Sequence, residues 1–191
     1  MHRRASLIEM LSQFTPTGPR EAEHLDRMMR LVGTTGNPFL RSHFVPGHFT
    51  ASAFVLSPDR SSLLLIMHAK LHRWLQPGGH VEPEDADLIA AARRELVEEV
   101  GRHALPGPLS PWESDGARAS FFPIFDLDIH PIPAMKGEPA HEHFDVRFLF
   151  HAPDHAFTAG SDAKSAKWVP LADITAEMTD ASVMRAIGKL K

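Results

Sequence analysis

The chain has 191 residues, enough for one domain with a sizeable core. Its composition, 43% hydrophobic and 23% charged, is that of a globular protein rather than a disordered one. A net charge of -4 gives no basic field for nucleic acid, and the lack of cysteine excludes disulfides and thiolate metal sites while suiting a reducing cytoplasm.

Residues 4 to 14 predict a short helix, with Leu7, Ile8 and Leu11 on one stripe, and Thr15-Pro16-Thr17-Gly18-Pro19 breaks it. Arg3 and Arg4 ahead of Leu7 and Ile8 have the outline of a signal peptide. Glu9, Ser12 and Gln13 interrupt the apolar part, and Leu63 to Met67 is the longest aliphatic run, far short of a bilayer span. An intracellular, cytoplasmic protein without a membrane contact is expected. A second helix is predicted over Arg20 to Val32, ended by Gly33 and Gly36. The two helices, within residues 1–45, are too short for a core of their own and read as an extension that caps the main fold or contacts a second copy.

From His48 the pattern changes to strands. Phe49, Ala51, Ala53 and Val55 alternate, Ser57-Pro58-Asp59-Arg60 is a turn, and Ser62 to His68 is apolar on both faces, as a central strand is. Lys70, His72 and Arg73 form a basic connector, a charged turn with Arg73 also a candidate for substrate phosphate. A helix is expected from Asp85 or Asp87 to Gly101, with Leu88, Ala92 and Leu96 as its buried stripe. A Pro- and Gly-rich loop follows to about Gly116. Ala119 to Ile129 reads as a strand, residues 131–142 as a loop, and Phe144, Val146, Phe148 and Phe150 as a strand. Ala166 to Val169 is a short strand, and the last twenty or so residues contain a helix.

The helix expected from Asp85 or Asp87 to Gly101 ends on three glutamates. Glu95, Glu98 and Glu99 stand at i, i+3 and i+4 and so share a face. They repel one another, and they lie where the helix dipole disfavours anions by roughly 0.3–1 kcal/mol each. A bound divalent cation reverses the sign of that energy.

Gly78-Gly79-His80-Val81-Glu82-Pro83-Glu84-Asp85 and Arg94-Glu95-Leu96-Val97-Glu98-Glu99-Val100-Gly101 together resemble the signature of the Nudix hydrolases, G-x5-E-x7-R-E-U-x-E-E-x-G-U, in which U is bulky and aliphatic. Gly79 takes the first glycine, and residues 94–101 match their half fully. Asp85 replaces a glutamate, eight residues rather than seven separate it from Arg94, and Arg102 stands at the last aliphatic position. These departures touch the pairing of Asp85 with Arg94, for which Glu84 competes, and leave the glutamates intact.

The resemblance implies an α+β fold, a Nudix-type α/β/α sandwich with a mixed sheet, formed as a single domain over residues 1–191 with the signature as loop, helix and loop over 78–102. It implies a Mg2+- or Mn2+-dependent hydrolase cleaving the diphosphate linkage of a nucleoside diphosphate joined to another group. The carbonyl of Gly78 and the carboxylates of Glu95, Glu98 and Glu99 hold metal in such enzymes. One of these glutamates, or a carboxylate from a later loop, takes the proton from the attacking water; Glu142 is the first candidate in a later loop. Gly79, Asp85 and Arg94 then support the signature, Arg94 by holding the loop around residues 82–85. Dimers are common in that family.

His141-Glu142-His143-Phe144-Asp145 is a second constellation. On a strand His141, His143 and Asp145 share a face, which suits a metal triad or a polar face in water. His80 and His143 are candidates for touching substrate. Trp112 is the best candidate for stacking on a base, while Trp168 reads as core. A sensing module of the same fold without catalysis is the alternative, disfavoured by the retained glutamates. Isoprenoid diphosphate isomerisation needs a catalytic cysteine, which the chain lacks.

Overall fold

Leu7, Met10 and Leu11 recur at helical spacing and are all buried in the computed structural model, which describes residues 2–69, 71–100, 110–111, 124–135, 137–153 and 166–190. They lie on helix α1 (His2–Gln13). Helix α2 (Pro19–Val32) begins on Pro19, whose fixed φ suits a first turn, and buries Met28, Leu31 and Val32. The strands are β1 (Gly47–Leu56), β2 (Ser62–His68), β3 (Arg73–Leu75), β4 (Gly78–His80), β5 (Ser110–Pro111), β6 (Ile124–Ile132), β7 (His141–His151) and β8 (Ala166–Pro170). Helix α3 (Leu88–Val100) and helix α4 (Ala181–Ile187) complete the α+β set. The chain forms two compact units, and β1, β4, α3 and β7 each contribute to both.

The first unit takes residues 1–52, 79–92 and 123–148. Its central pairing is the antiparallel ladder of β6 on β7, from Ile124 opposite Phe148 to Ile132 opposite His141. The ladder carries β6 three residues beyond the Ile129 end read from the sequence, because Pro131 occupies a position opposite Glu142 without breaking it. His141 to Asp145 therefore lie within a strand. Phe144, Val146 and Phe148 are buried on one face of β7; each such side chain contributes about 1.5–3 kcal/mol on burial. The other face is polar and equally buried. Arg147 meets Asp126 at 3.0 Å, Asp128 at 3.3 Å and Asp145 at 2.8 Å. Burial works against its charge, and the three carboxylates overcome that and raise its pKa. Ser52 and Thr50 on β1 donate to Asp145 at 2.8 and 3.1 Å. Helix α2 docks on β6 through buried polar groups: Glu21 accepts from the Leu127 N–H at 3.4 Å, and His24 Nδ1 meets the Leu127 carbonyl at 3.0 Å.

Two adjacent arginines on α1 complete this unit. Arg4 reaches the carbonyls of Val32, Thr34 and Gly36, the unpaired acceptors at the end of α2 and just beyond. Arg3 donates to the carbonyls of Glu82 (2.9 Å), Pro83 (3.1 Å) and Asp85. The N-terminal extension thus holds the loop of the signature.

The second unit takes residues 53–78, 93–122 and 149–191. Here β2 lies between two antiparallel neighbours, β3 and β8, and Leu63, Leu64 and Leu65 are fully buried as a central strand requires. Asp180 caps α4, accepting from the N–H groups of Ser182 and Val183 at 2.8 and 2.9 Å. Arg73 donates to the carbonyls of Ala176 (3.1 Å) and Thr179, which ties β3 to the segment before α4.

Candidate functional site

Helix α3 starts at Leu88 because Asp87, the second of the two predicted caps, accepts from the Ala90 N–H at 2.8 Å. Leu88, Ala92 and Leu96 are buried along one stripe, which fixes the rotation of the helix; Glu95 and Glu99 stand half-buried beside that stripe, and Glu98 lies further round, exposed. Arg94 Nη1 meets Glu95 at 2.9 Å and Glu98 at 3.1 Å. Glu98 keeps 57% of its side chain exposed, against 15% for Glu95, so solvent reaches the Glu98 carboxylate most freely.

Glu99 accepts from the Gly78 N–H at 2.9 Å, which joins the glycine pair to the glutamate face. Burial pushes the Glu99 carboxyl up to about 7; the Gly78 hydrogen bond opposes this, and the charges of Glu95 and Glu98 add to it. A carboxyl that is hard to ionise alone, beside two others, is relieved by a cation. The donor set is all oxygen, which suits Mg2+ or Mn2+.

The remaining expected site residues lie in the first unit, apart from Arg73. Asp85 is buried and its carboxylate accepts from the Glu82 N–H at 2.8 Å, closing the turn that Arg3 also holds. Glu142 is paired with Arg27, whose guanidinium also lies over the Phe144 ring. On β7 Glu142 faces away from His141 and His143 by strand alternation. Gly79 lies in β4 between Gly78 and His80. Lys70, Arg102 and Trp112 fall outside the described residues. Trp74 carries Lys167 Nζ at 4.1 Å over its ring, and Trp168 sits opposite Leu64 in the β2–β8 ladder.

His80 and His143 do come together, with ring centroids 5.2 Å apart. They are part of a cluster that the sequence reading missed. His48 lies 5.1 Å from His80, 5.1 Å from His141 and 4.8 Å from His143, and His130 lies 5.4 Å from His143. Only the H-x-H at 141–143 signals it; His48 is distant in sequence and reads only as the start of a strand pattern. Asp145, on the same face of β7, is held by Ser52, Thr50 and Arg147 instead. The cluster favours neutral rings. Burial lowers His143 to about 2, helped by His48, His130, His80 and His141, and lowers His80 to about 4, helped by His48 and Arg41.

These residues have a family. The NUDIX domain family matches residues 46–187 of the sequence, and the chain belongs to that family. It is a hydrolase of the pyrophosphohydrolase type. Among solved structures, the fold is similar to the dihydroneopterin triphosphate pyrophosphohydrolase of E. coli, at 16% identity and a TM-score of 0.54, covering 74% of this chain and 92% of that one. It is similar to a MutT NUDIX hydrolase from Burkholderia pseudomallei, at 22% identity and a TM-score of 0.51, covering 75% and 97%. A C. elegans Ap4A hydrolase matches at 21% identity and a TM-score of 0.46, covering 74% and 93%. No curated protein sequence matches.

Proposed function

We propose that this chain is a Mg2+- or Mn2+-dependent pyrophosphohydrolase acting on a nucleoside diphosphate joined to another group. The observation that supports the reading is the glutamate face itself, with Glu99 hydrogen-bonded to Gly78 and destabilised as an anion by burial and by its two neighbours. Glu95, Glu98, Glu99 and the Gly78 carbonyl would hold the metal. When bound, the ion neutralises the diphosphate and lowers the pKa of the attacking water.

The chain's own residues do the rest. Arg94 orients Glu95 and Glu98 from the side, and its single positive charge leaves the three carboxylates with a net attraction for cations. Glu142 is occupied by Arg27, so a helix glutamate is the better reading for the proton acceptor, and Glu98 is the one that water reaches. Arg73 is engaged by backbone carbonyls and is not assigned to substrate. The substrate is a small molecule, and a cysteine-free chain fits the cytoplasm.

A hydrolysis screen tests this. Purified protein with Mg2+ or Mn2+ would be offered nucleoside triphosphates, dinucleoside polyphosphates, nucleotide sugars, NADH, ADP-ribose and coenzyme A, with products identified by mass spectrometry. Metal-dependent cleavage of one class, abolished by Glu98→Gln, is expected. No cleavage by folded, metal-binding protein would favour the sensing module.

A further inference from the structure

We propose that His48, His141 and His143 form a second metal site, for a borderline transition-metal ion of the Zn2+ type, sharing no residue with the glutamate face. Each histidine offers one ring nitrogen, and these atoms all lie within 4.8 Å of one another. Zn–N bonds of about 2.0–2.1 Å would draw them in by small ring rotations.

The hydrogen bonds around the cluster already set the tautomers. His141 Nδ1 faces the Pro139 carbonyl at 2.8 Å, and His48 Nδ1 faces the His43 carbonyl at 3.3 Å. A carbonyl only accepts, so each ring carries its proton on Nδ1 and its lone pair on Nε2. That is the usual outer support of a metal-bound imidazole. His48 is 1% exposed, and its Nε2 is buried with no hydrogen-bond partner. A buried ring nitrogen left so is costly unless something binds it. Metal coordination accounts for it; stacking against other imidazoles does not.

The backbone builds the same site. His141 and His143 are two apart on β7 and so point to one side. His48 is delivered beside them by Gly47, where a Cβ would lie 1.8 Å from the Glu142 carbonyl oxygen. The Glu142 N–H donates to the Pro46 carbonyl at 3.0 Å and fixes that approach. Imidazole nitrogen suits Zn2+, Ni2+ and Cu2+ over Mg2+, so the two sites sort metals by donor chemistry. Three protein ligands leave a coordination position for water or an anion, and His143, only partly buried, gives access.

The test uses tag-free, chelator-stripped full-length protein in excess Mg2+, probed with Co2+ and Zn2+ alone. The wild type is expected to take up Co2+ with the intense visible bands of a four-coordinate nitrogen site, and Zn2+ is expected to displace it. His141→Gln and His143→Gln are expected to weaken this binding by at least about 100-fold, since even outer partners of metal ligands are worth 10–100-fold. Glu98→Gln is expected to retain it. Binding unchanged in both histidine variants, or lost in Glu98→Gln alone, overturns the proposal. Should the histidine variants not fold, ring 15N resonances of the wild type decide: a ring-nitrogen signal of each of the three histidines shifting on Zn2+ addition supports the site, and fewer shifting rejects it. No substrate enters these measurements, so they stand or fall apart from the hydrolase reading.

Discussion

Glu99 is a carboxyl that its position beside Gly78 and two other glutamates makes costly to ionise. Its folded pKa of about 7 lies above the ordinary 4.5, so the folded state holds its proton more tightly than the unfolded chain does. In chelator-treated protein that contribution to stability is complete below pH 4.5 and is lost as pH rises through about 7. Glu99→Gln keeps the acceptor oxygen for the Gly78 N–H and removes the charge. It should therefore raise the stability of metal-free protein at pH 8 by about 1–3 kcal/mol after allowance for solvent screening, read by urea unfolding. The same change should lower kcat by about 100-fold or more, as loss of a group that serves the transition state does. Glu98→Gln should be equally inactive but nearly neutral for stability, because its carboxylate is largely exposed. An unchanged rate in Glu98→Gln would remove it from the site. These residues were legible because local spacing alone, i, i+3 and i+4 at a helix end, makes their like charges an anomaly.

Elements were legible where periodicity is local, and misread where pairing decides. The alternation of Phe144, Val146, Phe148 and Phe150 announces β7, while the extension of β6 through Pro131 to Ile132 depends on a partner strand that no local pattern reveals. The helix α1 was legible as an amphipathic turn, but its task was not. Nothing in the local pattern names a partner for Arg3, which serves three carbonyls of the signature loop. Arg3→Ala should destabilise the protein by about 1–2 kcal/mol, since the part-buried bond to the Asp85 carbonyl is lost while those to Glu82 and Pro83 are exposed. Hydrogen exchange at residues 82–85 should rise selectively. Uniform exchange there, with unchanged thermal stability, would show that the clamp has no weight.

The molecule as a whole carries 13 histidines against a net charge of -4, and burial lowers the pKa of several of them. His80 and His143 face His48, His130 and His141, with Arg41 and Glu138 also acting on His80. Their folded pKa values fall below 6.5, so the unfolded chain binds protons first as pH drops. Their stabilising contribution is intact above pH 6.5 and is lost progressively towards pH 4. Metal-free protein should thus show a falling urea midpoint between pH 7 and pH 4.5, and His80→Gln should flatten the lower part of that curve. An identical slope in His80→Gln would take His80 out of the acid response. The fold class was readable at this scale because one signature fixes it. The histidine cluster was not, because it assembles residues from positions 48 to 143 through strand pairing.

Arg3 and its loop have a consequence in time. The contacts of α1 with α2 span few residues and can form early, whereas the Arg3 bonds close a separation of 79 to 82 residues. Long closures come late on a folding route. The clamp therefore belongs to the last steps, so it should slow unfolding and leave the folding rate nearly untouched. The lifetime of a held signature loop is then set by a residue that precedes helix α3 by 85 positions, from 3 to 88.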